Sequence, residues 1–186
     1  MHKNPILRKR TSVTDRKTQI KRAGLAVFAR YGLRRASMED VAVEAGLSRP
    51  ALYQYFRNKD DLISACFDLV TEDGFALSDA AAEGITDPTA RVTAYLTAHL
   101  CYYHRLLVSG PHSDEVLELK SRFGPDKVKD ARATIIARLN ALAELAEDDE
   151  KGVLLAHAGE GIKMLAPDEA VLAKRLDVLV RAVLAT

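Results

Sequence analysis

A chain of 186 residues, 48% hydrophobic and 28% charged, is long enough to bury one or two cores of its own, and its composition is that of an ordinary globular protein. Two cysteines, Cys66 and Cys101, are too few for a disulfide framework, and no run approaches the ~18 apolar residues of a membrane span. The net charge of +1 is unevenly placed: residues 1–60 carry fourteen Lys or Arg against five Asp or Glu, net +9, which leaves −8 for the rest. Such a split fits a polyanion held at the front end, the alternative being charge segregation without consequence. With no apolar leader at the N-terminus and both cysteines read as reduced core residues, a cytoplasmic protein is expected.

Residues 1–13 form a basic arm in which Arg8, Lys9 and Arg10 either reach DNA phosphates or remain a solvated tail. From Thr14 the stripe Ile20, Ala23, Val27 and Tyr31 predicts a helix that ends at Tyr31-Gly32. Met38, Val41, Ala42 and Ala45 then fall at i, i+3, i+4 and i+7, with Ser37 and Asp40 spaced as a capping box and Gly46 placed to stop the helix. Ser48 and Pro50 predict the start of a second short helix, 48–56, with Leu52 and Phe56 facing inward. Helix, glycine corner and helix is the helix-turn-helix arrangement, whose second element enters the major groove of DNA.

The string from Val41 to Leu62, with its Ala45-Gly46-Leu47-Ser48 turn, Leu52-Tyr53-Gln54-Tyr55-Phe56 and Asn58-Lys59-Asp60-Asp61-Leu62, resembles the DNA-binding signature of the tetracycline-repressor (TetR) family. The resemblance covers the first third of the chain. It implies an all-α protein of about nine helices: a helix-turn-helix domain over 14–58 and a ligand-binding and dimerisation bundle over 59–186. On the recognition helix Arg49, Ala51 and Gln54 are candidates for base edges, by the chemistry of guanine, thymine methyl and adenine respectively. The family motif puts Tyr53, Tyr55 and Lys59 at phosphates, with Ser37 and Met38 at the backbone too; Ser48 and Pro50 complete the tip. For Tyr53, partial burial between helices is the competing reading.

Beyond the motif, Asn58 caps a helix running to about Ala82, with Leu62, Cys66, Leu69, Val70 and Leu77 on its buried face. Asp87 and Pro88 open the next, roughly 88–108, where Val92, Leu96, Tyr103 and Leu106 line the apolar face and His99 falls among them. His99 is either a satisfied core histidine or part of a pocket; Cys66, Tyr95, His99, Tyr103 and Phe123 are the pocket candidates. A short helix from Ser113 to about Arg122, a long one carrying Val128 to Leu142, and two more after Glu147-Asp148-Asp149-Glu150 and Ala166-Pro167-Asp168 complete the pattern. Gly152, Ala156 and Gly159 allow another helix close approach, and the resemblance implies that the last two helices pair with those of a second copy.

No phosphate loop, CxxC, HExxH or GxSxG is present, and the five histidines are scattered, so no enzyme, metal or cofactor is expected. The expected function is a repressor that binds a palindromic operator as a homodimer and leaves it when a small-molecule effector binds. Two rivals are the same DNA-binding dimer without an effector, and a helical small-molecule-binding or enzymatic bundle whose basic end is incidental.

Overall fold

The computed structural model describes residues 13–108, 112 and 125–185. Eight helices run through them: α1 (Val13–Arg35), α2 (Met38–Glu44), α3 (Arg49–Tyr53), α4 (Lys59–Ala82), α5 (Pro88–Val108), α6 (Pro125–Leu142), α7 (Glu150–Leu165) and α8 (Glu169–Leu184). Among the described residues there is no strand. The basic arm with Arg8, Lys9 and Arg10, the helix expected from Ser113 and the pocket candidate Phe123 lie outside the described residues.

Most of these ends are set by local chemistry that the sequence announces. Asn58 Oδ1 accepts the Asp61 amide at 2.8 Å, and the Asp61 carboxylate takes the Arg57 amide at 2.9 Å, so the start of α4 is closed from both sides. Asp87, Asp149 and Asp168 accept amides at the starts of α5, α7 and α8, at 2.7 Å, 2.8 Å and 2.8 Å. Gly32 (φ 79°, ψ 158°) breaks α1 where the sequence predicts its end, although Leu33–Arg35 add one further turn.

The chain divides into two compact units, Met1–Leu69 and Val70–Thr186. The division falls within α4, because Leu62, Ile63, Cys66 and Leu69 are buried with Ile20, Val27, Phe28, Val41, Leu52 and Phe56 in the first unit's core. Gly24 lets α1 and α4 meet: a Cβ there would stand 3.2 Å from Cys66 Sγ and 3.6 Å from Leu62 Cδ1. In the second unit α5 packs against α6, α7 and α8 around Val92, Tyr95, Leu96, Leu100, Leu139, Leu155, Leu172 and Leu176. The small residues of α7 serve this core: a Cβ on Gly159 would lie 2.9 Å from Leu100 Cδ1.

Three expected core positions are exposed. Tyr31 lies in the last turn before the Gly32 break, with the Arg30 guanidinium 5.7 Å over its ring. Beyond Leu69 the buried positions of α4 step to Gly74, Ser78 and Ala82, four apart, and that rotation turns Leu77 to solvent. Leu106 stands at the rim of α5.

Candidate functional site

The tip of α2 is fixed by its own side chains. The Ser37 hydroxyl accepts the Asp40 amide at 3.2 Å and donates to the Asp40 carboxylate at 2.6 Å, which also takes the Ser37 amide at 2.8 Å. These donors, the Ser37 hydroxyl first, hold the Asp40 carboxyl below its ordinary pKa. Met38 is 7% exposed, so its side chain belongs to the core and its amide is what it presents at the helix tip.

Gly46 then turns the chain at φ +63°, a conformation that costs other L-residues about 1–2 kcal/mol. The Gly46 amide donates to Val43 O at 3.1 Å and the Leu47 amide to Ala42 O at 2.8 Å, which completes a Schellman closure of α2. Ser48 caps α3 by accepting the Ala51 amide at 3.4 Å, and Pro50 sits in the first turn.

The α-helix is shorter than the expected 48–56 element. It spans Arg49–Tyr53, after which the Tyr55 amide tightens to Leu52 O at 3.0 Å. The Phe56 amide still donates to Leu52 O at 3.1 Å, so the winding carries on to Phe56. Leu52 and Phe56 are sealed in the core, and this anchors the element while Ser48, Arg49, Pro50, Tyr53 and Gln54 face solvent and Ala51 and Tyr55 are half-buried. Arg49 lies 4.0 Å from the Glu39 carboxylate, with its guanidinium 5.7 Å over the Tyr53 ring. Both partners are solvent-exposed, so these contacts are screened and the guanidinium is easily redirected. Lys59, half-buried, donates to Arg34 O at 3.2 Å and ties the start of α4 to the end of α1.

Of the pocket candidates, Cys66 belongs to the first unit. Its thiol donates to Lys21 O at 3.3 Å, and burial pushes its pKa up to about 12, so it does not join the others. Tyr95, His99 and Tyr103 do come together in the second unit. His99, 2% exposed, stacks with Phe75 and Tyr95 at centroid distances of 5.7 Å and 6.1 Å and meets Tyr103 edge-on at 4.9 Å.

Ser78 has one hydroxyl proton and donates it to Gly74 O at 2.6 Å, so His99 Nδ1 carries the hydrogen that meets Ser78 Oγ at 3.2 Å. Burial lowers the His99 pKa to about 4, and the ring is neutral at pH 7; burial likewise raises Tyr103 to about 12. Five polar members of this cluster escaped the sequence reading. Ser78 supports His99, Arg138 lies 4.5 Å over the Phe75 ring while gripping Asp79 at 2.6 Å, and Lys163 lies 5.7 Å over the Tyr103 ring while paired with Glu160 at 2.7 Å. Among the described residues no three of His, Cys, Asp and Glu are grouped as metal ligands, and no helix is long and apolar enough to cross a membrane.

A basic first unit that presents a capped helix after a glycine corner, with helices alone among the regular elements of the described residues, has the arrangement of a helix-turn-helix DNA-binding domain. Residues 20–66 match the model of the bacterial regulatory proteins of the tetR family. The fold of the chain is similar to that of a transcriptional regulator from Rhodococcus sp. RHA1, with 21% identity, a TM-score of 0.71 and coverage of 91% of this chain and 96% of that one. A TetR-like transcriptional regulator from the same organism is 25% identical at a TM-score of 0.64, with 93% and 98% covered. A transcriptional regulator from Cytophaga hutchinsonii is 19% identical at 0.72, with 90% and 96% covered.

Proposed function

We propose that the protein is a repressor that binds a palindromic DNA operator as a homodimer and is released from it by a small-molecule effector held in the second unit. The observation that carries the DNA-binding part is α3, whose Leu52 is sealed while Arg49, Tyr53 and Gln54 stand exposed on a unit of net positive charge. Arg49 and Gln54 read base edges and the Ala51 methyl meets a thymine methyl. Tyr53, Tyr55 and Lys59 hold phosphates together with the amides at the tips of α2 and α3, around Ser37, Met38, Ser48 and Pro50. Selection from a random duplex pool should return an inverted repeat. Recovery of single, unpaired half-sites would sink the dimeric reading, and recovery of no preferred sequence would sink the operator.

Dimerisation is supported by an apolar stripe that is largely exposed on the single chain. Leu154, Gly161 and Leu165 on α7, seven and then four residues apart, and Val171 and Val178 on α8, seven apart, lie at the spacing of a helix-bundle seam. Leu154, Leu165 and Val178 are exposed, and a Cβ on Gly161 would meet nothing within 4 Å. The double substitution Leu154→Glu, Val178→Glu should therefore reduce the mass in light scattering from that of a dimer to the 20.4 kDa of one chain. A dimer that survives both glutamates places the interface elsewhere. Effector release is supported by the aromatic and polar cluster around His99, and α4, which belongs to both units, is the element an effector would move.

A further inference from the structure

From the contact between Glu39 on α2 and Arg49 on α3 we infer that Glu39 is a positioning and specificity-determining residue, whose carboxylate holds Arg49 against a base edge and off the phosphates. This rests on the reading that α3 enters the major groove, and it goes further by assigning what decides where the Arg49 guanidinium points. The contact is made by Arg49 Nε, 4.0 Å from Glu39 Oε2. Nε is the inner nitrogen of the guanidinium. A carboxylate engaged there does not consume the two terminal nitrogens, which together form the fork that guanine O6 and N7 accept. Tyr53, one turn further along α3, places its ring centroid 5.7 Å from the guanidinium carbon. Arg49 is thus bounded by one group from each helix of the motif.

The first turn of α2 carries two acids, Glu39 and Asp40. Asp40 is committed to the cap, where its carboxylate takes the Ser37 hydroxyl at 2.6 Å and the Ser37 amide at 2.8 Å. The Glu39 side chain stands 59% exposed beside Arg49, itself 60% exposed. In the proposed complex the tip of α2 faces the DNA backbone, where a carboxylate repels phosphates whatever the sequence and weakens binding to all DNA. Paired with Arg49, the same charge acquires a use. In the free protein water screens the pair, and the guanidinium is held loosely. A duplex lying on α2 and α3 displaces that water, and the pair strengthens as the local dielectric falls. Drawn toward Glu39 through Nε, the guanidinium is kept from swinging to a phosphate, and a base edge with fewer acceptors than guanine leaves one of its terminal donors unpaired. Discrimination then depends on what Glu39 denies Arg49 as well as on what guanine offers it.

The test compares full-length wild type, Glu39→Gln, Arg49→Ala and the double substitution on the duplex that selection returns, on versions of it with single base pairs changed, and on a scrambled duplex. Glu39→Gln keeps the size of the side chain and removes its charge. It should bind scrambled duplex about three- to tenfold more tightly, with a salt slope steeper by about one per half-site as Arg49 turns to a phosphate. At the base pair whose preference Arg49→Ala abolishes, the penalty for replacing guanine should fall from about ten- to a hundredfold to within about threefold. In the Arg49→Ala background Glu39→Gln should leave the base preferences as they are, because the group it positions is gone. An acid that merely suits the N-terminus of α2 would instead lower the melting temperature when neutralised and leave the guanine preference intact. The inference is overturned by that pattern, by a Glu39→Gln protein that binds scrambled duplex no more tightly than wild type, or by an Arg49→Ala protein that keeps every base preference. A wild type that selects no sequence overturns both this inference and the operator, whereas the other failures leave the operator reading standing.

Discussion

Gly152→Ala should lower the stability of the second unit by about 3 kcal/mol, at the upper end of what overpacking costs, with a fall in melting temperature of roughly 10 °C. A Cβ at this position of α7 would stand 2.2 Å from Asn140 Oδ1 and 2.6 Å from its Cγ. A flexible surface side chain would swing away, but Asn140 is wholly buried on α6, and its amide donates to Glu147 O and Asp149 O at 3.0 Å each. Those two bonds hold the turn that delivers the chain into α7, so moving Asn140 strands two carbonyls. Asn140→Ala alone should cost about 1–3 kcal/mol for the same lost donors. In the double substitution the clash is gone, and the cost of Gly152→Ala should shrink by about 1–3 kcal/mol relative to its cost alone. Urea titrations of the four proteins measure this; strictly additive costs would show that the contact is not what makes residue 152 a glycine.

That contact also marks the limit of what the sequence discloses. The helix-turn-helix is legible because every instruction in it is local: Ser37 with Asp40, Gly46, Ser48 and Asn58 each act within four residues, and each end of α2 and α3 follows from them. Gly152 and Asn140 answer to each other across twelve positions, and neither hints at the other in a linear reading. The aromatic cluster around His99 is half legible for the same reason. His99, Tyr95 and Tyr103 share an apolar face of one helix and are found by period alone, whereas Lys163, Glu160 and Arg138 look like solvated charges on amphipathic helices until their partners are known. Cys66 shows the converse error: it sits on the helix that leads to the cluster, yet its position on α4 precedes the point where the buried face passes from one unit to the other.

Arg49→Ala should lose about 1–3 kcal/mol at each half-site, so the dimer should bind its operator about 2–6 kcal/mol more weakly while its hold on random duplex changes far less. Among the described residues the guanidinium is held by Glu39 at 4.0 Å and by the face of Tyr53, both at the surface, so turning it toward a guanine gives up little. Lys59→Ala should behave differently. Its ammonium, at the start of α4, donates to Arg34 O, and in the proposed complex it holds a phosphate. Losing it should weaken cognate and random DNA alike and reduce the salt slope by about one per half-site. Because the same lysine ties α4 to the end of α1, its loss should also cost some stability, and a melting curve separates that effect from the DNA contact. Titrations at several salt concentrations against the selected operator and a scrambled duplex distinguish the two residues. If Arg49→Ala loses equally on both duplexes, Arg49 is a phosphate contact and the base reading of α3 falls to Gln54 and Ala51.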